Sequence, residues 1–241
     1  MVKTQLVVIS GVTGSLGQAY ATHYHAQDCK VVGLSRQPAS QKLESVDHLV
    51  ADLLDKKTTT ETINRISLEN ITNILVIHPV GRFIFENEFR EIDPKIYASN
   101  VETFKNVARP LIRSQIPATL VGFGSISDKY NIPFWGSYSR SKRALREYMQ
   151  TLAYNNDNIR SVFLNLSSVK TLNESRLRPF ADTSYWLTPE EIIERSVHEL
   201  TFRGKWKEVD IFNLSPDFSP EIYTDHQRLK ERWLKEMYGE I

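Results

Sequence analysis

"VVISGVTGSLGQAY", residues 7–20, sets glycines at 11, 14 and 17 directly behind a run of β-branched residues. A glycine-rich turn between a buried strand and a helix lets the backbone approach a diphosphate, whose charge is met by free N–H groups at the helix N-terminus. The flanks fit. "QLVVIS" (5–10) reads as a strand buried on both faces, and "LGQAYATHYHAQD" as a helix with small residues near its start. The turn alone also fits an ordinary tight strand-to-helix connection, so the rest of the chain has to decide.

Working outward, further strands are predicted at 30–35, 47–52, 73–78, 118–124, 160–166 and 208–214. Helices are predicted near 15–27, 56–69, 91–114, 136–154 and 189–203, the last with Thr188 as N-cap and Pro189 at its first position. This alternation predicts an α/β fold, a doubly wound, mostly parallel seven-stranded sheet with helices on both faces. No repeat, low-complexity tract or linker interrupts it, so one domain over 1–241 is expected. A C-terminal tail at about 219–241 carries Leu229, Trp233 and Met237 at i, i+4 and i+8 of an amphipathic helix. That stripe is expected to pack on its own domain; a subunit interface is the alternative.

Composition narrows the possibilities. The 241 residues are 41% hydrophobic and 24% charged, which suits a globular domain with a substantial core. A net charge of +1 gives no general drive toward nucleic acid or an anionic membrane. No apolar run approaches the roughly 20 residues of a membrane span, and no signal peptide is recognised. The single Cys29 cannot form an internal disulfide, so a cytoplasmic protein is the default expectation.

The second informative stretch is "GSISDKYNIPFWGSYSRSKRALREY". Tyr138 and Lys142 lie four apart and share one helix face, while Ser125 closes a buried strand. All three reach the carboxyl edge of the sheet, where ligands of open α/β sheets bind and onto which the glycine turn opens. With "SGVTGSLG", Ser125 and "YSRSK", nearly the whole chain resembles the short-chain dehydrogenase/reductase family. The resemblance implies a nicotinamide dinucleotide and hydride exchange between an alcohol and a carbonyl. It also implies roles: Tyr138 as general acid/base, Lys142 holding the nicotinamide ribose and lowering the tyrosine pKa, Ser125 steadying the substrate oxygen, and Asn100 supporting a proton-relay water. A free tyrosine with pKa about 10 is a poor base at neutral pH, and a nearby ammonium favours its phenolate.

Gly11, Gly14 and Gly17, with Thr13, Ser15 and Leu16 of the same turn, are expected to hold the diphosphate. The residues ending the second strand meet the adenosine ribose, and here they are Ser35 and Arg36 rather than an acid. Ser35 can donate to a phosphate, and Arg36 can pair with it and stack on adenine, so NADP(H) is expected in preference to NAD(H). Asp52 and Leu53 resemble the family's adenine contacts, and Val169 and Thr171 its carboxamide contacts.

Departures from the pattern leave another reading open. Ser15 replaces a common glycine; "HPVG" (78–81) puts His78 where an asparagine normally braces the sheet near the cofactor; and "NLSSVKT" lacks the usual Pro-Gly. A neutral hydrogen-bonding role is expected for His78, with a titrating one as the alternative. The runner-up function is a non-enzymatic NADP(H)-binding sensor or scaffold. A nucleotide-sugar epimerase fits the glycine spacing, but too few residues follow the sixth strand for its substrate domain. His23 and His25, two apart on a helix, point apart, and no metal site is expected. Arg176 and Arg178 are expected to face solvent, with an acidic substrate as the alternative. Phe134, Trp135 and Trp186 either wall an apolar pocket or pack ordinarily. The expected partner is a small carbonyl or alcohol substrate, and by analogy a homodimer or homotetramer.

Overall fold

The computed structural model describes residues 4–38, 46–86, 91–130, 132–213 and 220–239. Seven strands, β1 (Thr4–Ser10), β2 (Lys30–Ser35), β3 (Asp47–Val50), β4 (Ile71–His78), β5 (Ala118–Ser125), β6 (Ile159–Leu166) and β7 (Trp206–Ile211), form one sheet. Its order is β3-β2-β1-β4-β5-β6-β7, and every pairing is parallel. The order of strands therefore reverses between β1 and β4, and the ligand crevice of such a sheet opens beyond the carboxyl ends there.

Side chains alternate across the sheet as the two-residue period demands. Leu6 and Val8 of β1 face one core layer, with Phe104, Leu145 and Met149; Val7 and Ile9 face the other, with Tyr20, Ala21 and Ile192. The first layer is covered by α2 (Lys56–Ile63), α4 (Thr103–Ile112) and α6 (Gly136–Asn155), and the second by α1 (Ser15–His25) and α8 (Pro189–Ser196). α3 (Pro94–Tyr97) runs into α4 through a five-residue π-helical turn, Ala98–Glu102. Two short helices, α5 (Ile126–Lys129) and α7 (Leu172–Leu177), follow β5 and β6. The capping box on α8 forms as expected, with Thr188 and Glu191 satisfying each other's backbone N–H.

Several expected boundaries move. The last strand begins at Trp206 rather than 208, because the Trp206 ring stacks on Phe163, 6.1 Å away; the expected end at 214 lies outside the described residues. The helix expected over 91–114 starts only at Pro94, where the Asp93 carboxylate caps it. The one expected over 189–203 becomes α8 and a 3₁₀ stretch, Val197–Thr201. In the C-terminal tail, α9 (His226–Tyr238) buries Leu229, Trp233 and Met237 against Ile126, Phe134 and Trp135, so the stripe packs on its own chain. Residues 219, 240 and 241 of that tail lie outside the described residues.

Candidate active site

The glycine turn opens a single cavity of 460 Å³, which runs past the end of β5 to α9. Gly11 has φ +68°, a left-handed conformation that favours glycine, and its carbonyl accepts from Gly14 N–H at 2.9 Å. At Gly17 the reason is closeness: a Cβ there would lie 2.3 Å from the Gly11 carbonyl oxygen. α1 has Gly14 as N-cap with no side-chain cap, which leaves the first-turn amides of Ser15, Leu16 and Gly17 for an anion. Thr13 and these five glycine-turn residues all line the cavity.

Ser125, Tyr138 and Lys142 line the same cavity farther along. Ser125 ends β5 and caps α5, accepting from the Ser127 N–H at 3.2 Å and from its hydroxyl at 3.0 Å. Tyr138 and Lys142 stand one turn apart on α6, with the Lys142 Nζ 5.4 Å from the tyrosine ring centroid. The start of α6 lacks a cap of its own. Glu86 supplies one from outside, accepting from Ser137 N–H at 2.8 Å and from its hydroxyl at 2.6 Å.

Electrostatics in this site differ from the simplest expectation. Burial pushes the Tyr138 phenol up, the Glu174 carboxylate adds to the rise, and a hydrogen bond with Ser125 works against it. Burial also pulls Lys142 down, to about 8, which leaves it an ammonium at neutral pH. Only 4% exposed, the Lys142 ammonium has no hydrogen bond or ion pair among the described residues, yet it lines the cavity. An ammonium that reaches the cavity from a largely buried side chain, next to an amide-lined glycine cradle, fits the ribose and diphosphate of a dinucleotide.

Asn100 lies a layer behind. Fully buried in the π turn, its Nδ2 donates to the Arg82 carbonyl at 3.0 Å and to Ser141 Oγ at 2.7 Å, and its Oδ1 accepts from Arg82 N–H at 2.6 Å. It is a brace between the segment after β4 and α6, and its side chain does not reach the cavity.

His78 is likewise a brace. Its Nδ1 accepts from Ser10 Oγ at 2.5 Å and its Nε2 donates to Thr103 Oγ1 at 3.0 Å, Thr103 in turn donating to the Ser99 carbonyl. Burial and the nearby Lys142 push it down to about 3, so it is a neutral imidazole joining β1, β4 and α4. An unfolded chain binds its proton near pH 6.5 and the folded one only near 3, so stability is present above about 6.5 and lost as pH falls through that window. Denaturant melts should show His78→Asn gaining about 2 kcal/mol relative to the unmodified protein on going from pH 7.5 to pH 5. A difference that does not change with pH would refute the neutral assignment.

The remaining expected cofactor residues divide. Val169 and Thr171 line the cavity; Val169 N–H donates to Glu174 at 3.0 Å, and Thr171 Oγ1 caps α7. Ser35, Arg36, Asp52 and Leu53 lie beyond the cavity lining, at and after the ends of β2 and β3. The Ser35 hydroxyl is already engaged by the Gln37 carbonyl and by His48 Nε2 at 2.8 Å, Arg36 is exposed, and Leu53 belongs to the core. Among the aromatic candidates Trp135 lines the cavity, whereas Phe134 packs on Phe85 and Trp186 lies against Arg178. Arg176 is exposed as expected, but Arg178 is buried. Among the lining residues that carried no functional signal in the sequence are Phe83, Glu174 and Trp233. No group of metal-ligating side chains occurs among the described residues, and no helix there is long and apolar enough to cross a membrane.

Residues 5–181 match the family model of the short chain dehydrogenases, well over half of the sequence. The chain belongs to that family. As a short chain dehydrogenase it falls among oxidoreductases that use a nicotinamide cofactor. Its fold is similar to a short-chain type dehydrogenase/reductase from Mycobacterium ulcerans, with TM-score 0.75 and 16% identity over 99% of this chain and 97% of that one. It is also similar to a short chain dehydrogenase from Escherichia coli CFT073 solved with NADPH, with TM-score 0.73 and 19% identity over 85% and 95% of the two chains. A curated relative, the 3-ketodihydrosphingosine reductase of Bacteroides thetaiotaomicron, is 26% identical over 155 residues. That match covers 62% of this dehydrogenase and 57% of the relative's length.

Proposed function

We propose that the protein is an NADP(H)-dependent oxidoreductase interconverting a carbonyl and an alcohol, with Tyr138 as the acid/base. The observation that carries this reading is the convergence of Ser125, Tyr138 and the unpartnered Lys142 on the cavity that begins at the glycine turn. The first-turn amides of α1 would hold the diphosphate, Lys142 the nicotinamide ribose, and Val169 and Thr171 the carboxamide. When bound, NADPH supplies the hydride to the carbonyl carbon and becomes NADP⁺.

The chain's own residues handle the proton. Ser125 donates to the carbonyl oxygen as charge builds on it, and the Tyr138 phenol, protonated at neutral pH as an ordinary tyrosine is and held further so by burial, delivers the proton that completes the alcohol. Lys142 supplies positive charge beside the phenolate left behind. The His78 departure, which motivated a sensor reading, is absorbed as a structural brace. So is the missing Pro-Gly, since Ser167 ties the loop after β6 to β7 through Ile211 and Asn213. Consumption of NADPH in a screen of ketones, aldehydes, quinones and acyl thioesters tests the reading; tight NADPH binding without turnover of any of them would favour the sensor.

The NADP(H) preference rests on Arg36, exposed just after β2, a position that holds a cation in place of an acid. Because the Ser35 hydroxyl is already engaged, Arg36 is the group expected to read the extra phosphate. A charge-assisted contact of about 1.5–3 kcal/mol corresponds to roughly ten- to a hundredfold in affinity. Calorimetric titration should therefore show NADPH binding tighter than NADH, and Arg36→Ala weakening NADPH while sparing NADH. Equal affinities in the unmodified protein would remove the assignment.

A further inference from the structure

Past Ser125 and Tyr138 the cavity ends in rings. Phe83 lies 5.6 Å from the Tyr138 ring and 5.7 Å from Trp135, and Trp233 of α9 meets Trp135 edge-on at 4.8 Å. Phe83, Trp135 and Trp233 all line the cavity, together with the aliphatic Ile126 and Leu172.

The charged groups on the same lining are Lys142, Glu174 and Arg178. Lys142 belongs beside the tyrosine. Arg178 looks like a receptor for an acidic substrate, but two carboxylates already hold it. Its Nη1 donates to Glu236 at 3.0 Å, its Nη2 donates to both Glu174 and Ser168, and its guanidinium lies 4.6 Å from the Trp186 ring centroid. Two carboxylates thus neutralise it, and Arg176 is exposed and not on the lining. A substrate carboxylate at this end would meet aromatic faces and the Glu174 charge, Lys142 beside the tyrosine being the described lining cation that no carboxylate holds. An uncharged ring would find three partners suited to edge-on and offset contact.

We propose that the substrate is an uncharged carbonyl compound with an aromatic or similarly planar apolar body, and that Trp233 is a specificity-determining residue for it. The inference rests on the oxidoreductase reading of the same cavity. Reduction would consume one NADPH and one proton per ketone and yield the secondary alcohol.

The test uses a matched pair, acetophenone and 4-acetylbenzoate, which share the phenyl ketone and differ by a carboxylate on the side of the ring away from the carbonyl. Binding to the NADPH-loaded protein is followed by calorimetry, in parallel with NADPH consumption. Acetophenone should bind at least about tenfold tighter and show at least about tenfold higher kcat/KM. Trp233→Ala should raise its KM about tenfold with a smaller change in kcat, and Trp233→Phe should recover most of the loss. Preferred or equal use of 4-acetylbenzoate would overturn the proposal and leave the oxidoreductase reading intact. Selective binding of acetophenone without turnover would support the pocket assignment and count against catalysis. Binding of neither compound, or a Trp233→Ala protein that folds and keeps its KM, would also overturn the proposal.

Discussion

Turnover should fall by about 10²-fold or more when Tyr138 is replaced by Phe, with NADPH affinity almost unchanged. The substitution removes one hydroxyl and leaves the ring that packs against Phe83, so the cavity keeps its shape. Only the proton is lost, and a proton delivered in the transition state lowers kcat and kcat/KM together. Lys142→Ala should differ by losing affinity as well, because its ammonium is the group proposed to hold the ribose. The direction of reaction adds a pH signature. Carbonyl reduction needs the phenol protonated, and the raised pKa of Tyr138 keeps it so through neutral pH; alcohol oxidation needs the phenolate and should climb on the alkaline side. Stopped-flow and steady-state NADPH kinetics measure both. Unimpaired turnover in folded Tyr138→Phe would refute the mechanism.

Gly17→Ala should destabilise the fold by about 1–3 kcal/mol or more and abolish dinucleotide binding. The new methyl would sit 2.3 Å from the Gly11 oxygen and 2.8 Å from Val12 Cα. Both are backbone atoms, so no side chain can rotate away, and α1 must retreat from the turn. That retreat moves the first-turn amides proposed to receive the diphosphate. Ligand-linked stabilisation makes the loss easy to read, since at a hundredfold excess over Kd a bound cofactor adds about 2.7 kcal/mol to unfolding. NADPH should raise the unfolding midpoint of the unmodified protein and leave that of Gly17→Ala where it was. A variant with normal stability and a normal NADPH shift would show that the close approach is not needed.

Much of this architecture was legible because local pattern and global fold agree. The β-branched runs of β1, β4, β5 and β6 have no alternative to a buried parallel sheet, and the three glycines mark the turn that the crevice requires. The sequence was weaker where neighbours in space decide. "KWKEVDIFNL" reads as strand at either end, and stacking of Trp206 on Phe163 selects the earlier start. The stripe of Leu229, Trp233 and Met237 announces a buried face without saying that one of its rings would reach the cavity. Arg178 has the composition of a surface residue and is buried only because Glu174 and Glu236, 58 positions apart in chain from the arginine in the latter case, converge on it. Ser35 was assigned to a phosphate from its place in the chain, but His48 on the adjacent strand could not be seen to engage it.

The π turn at Ala98–Glu102 carries a consequence for ancestry. A π turn is one residue accommodated inside a helix. Each residue rotates an α-helix by about 100°, so an insertion taken up by simple lengthening would swing Thr103 and Phe104 away from His78. Widening a single turn absorbs it instead: the downstream helix keeps its phase against the sheet, and Asn100 is set inward against Ser141 and Arg82. Any alignment of this chain to a relative whose helix runs unbroken here therefore needs a one-residue gap between positions 98 and 102. Without it, the residues before or after the turn are compared with the wrong counterparts, and roles carried across by position slip by one.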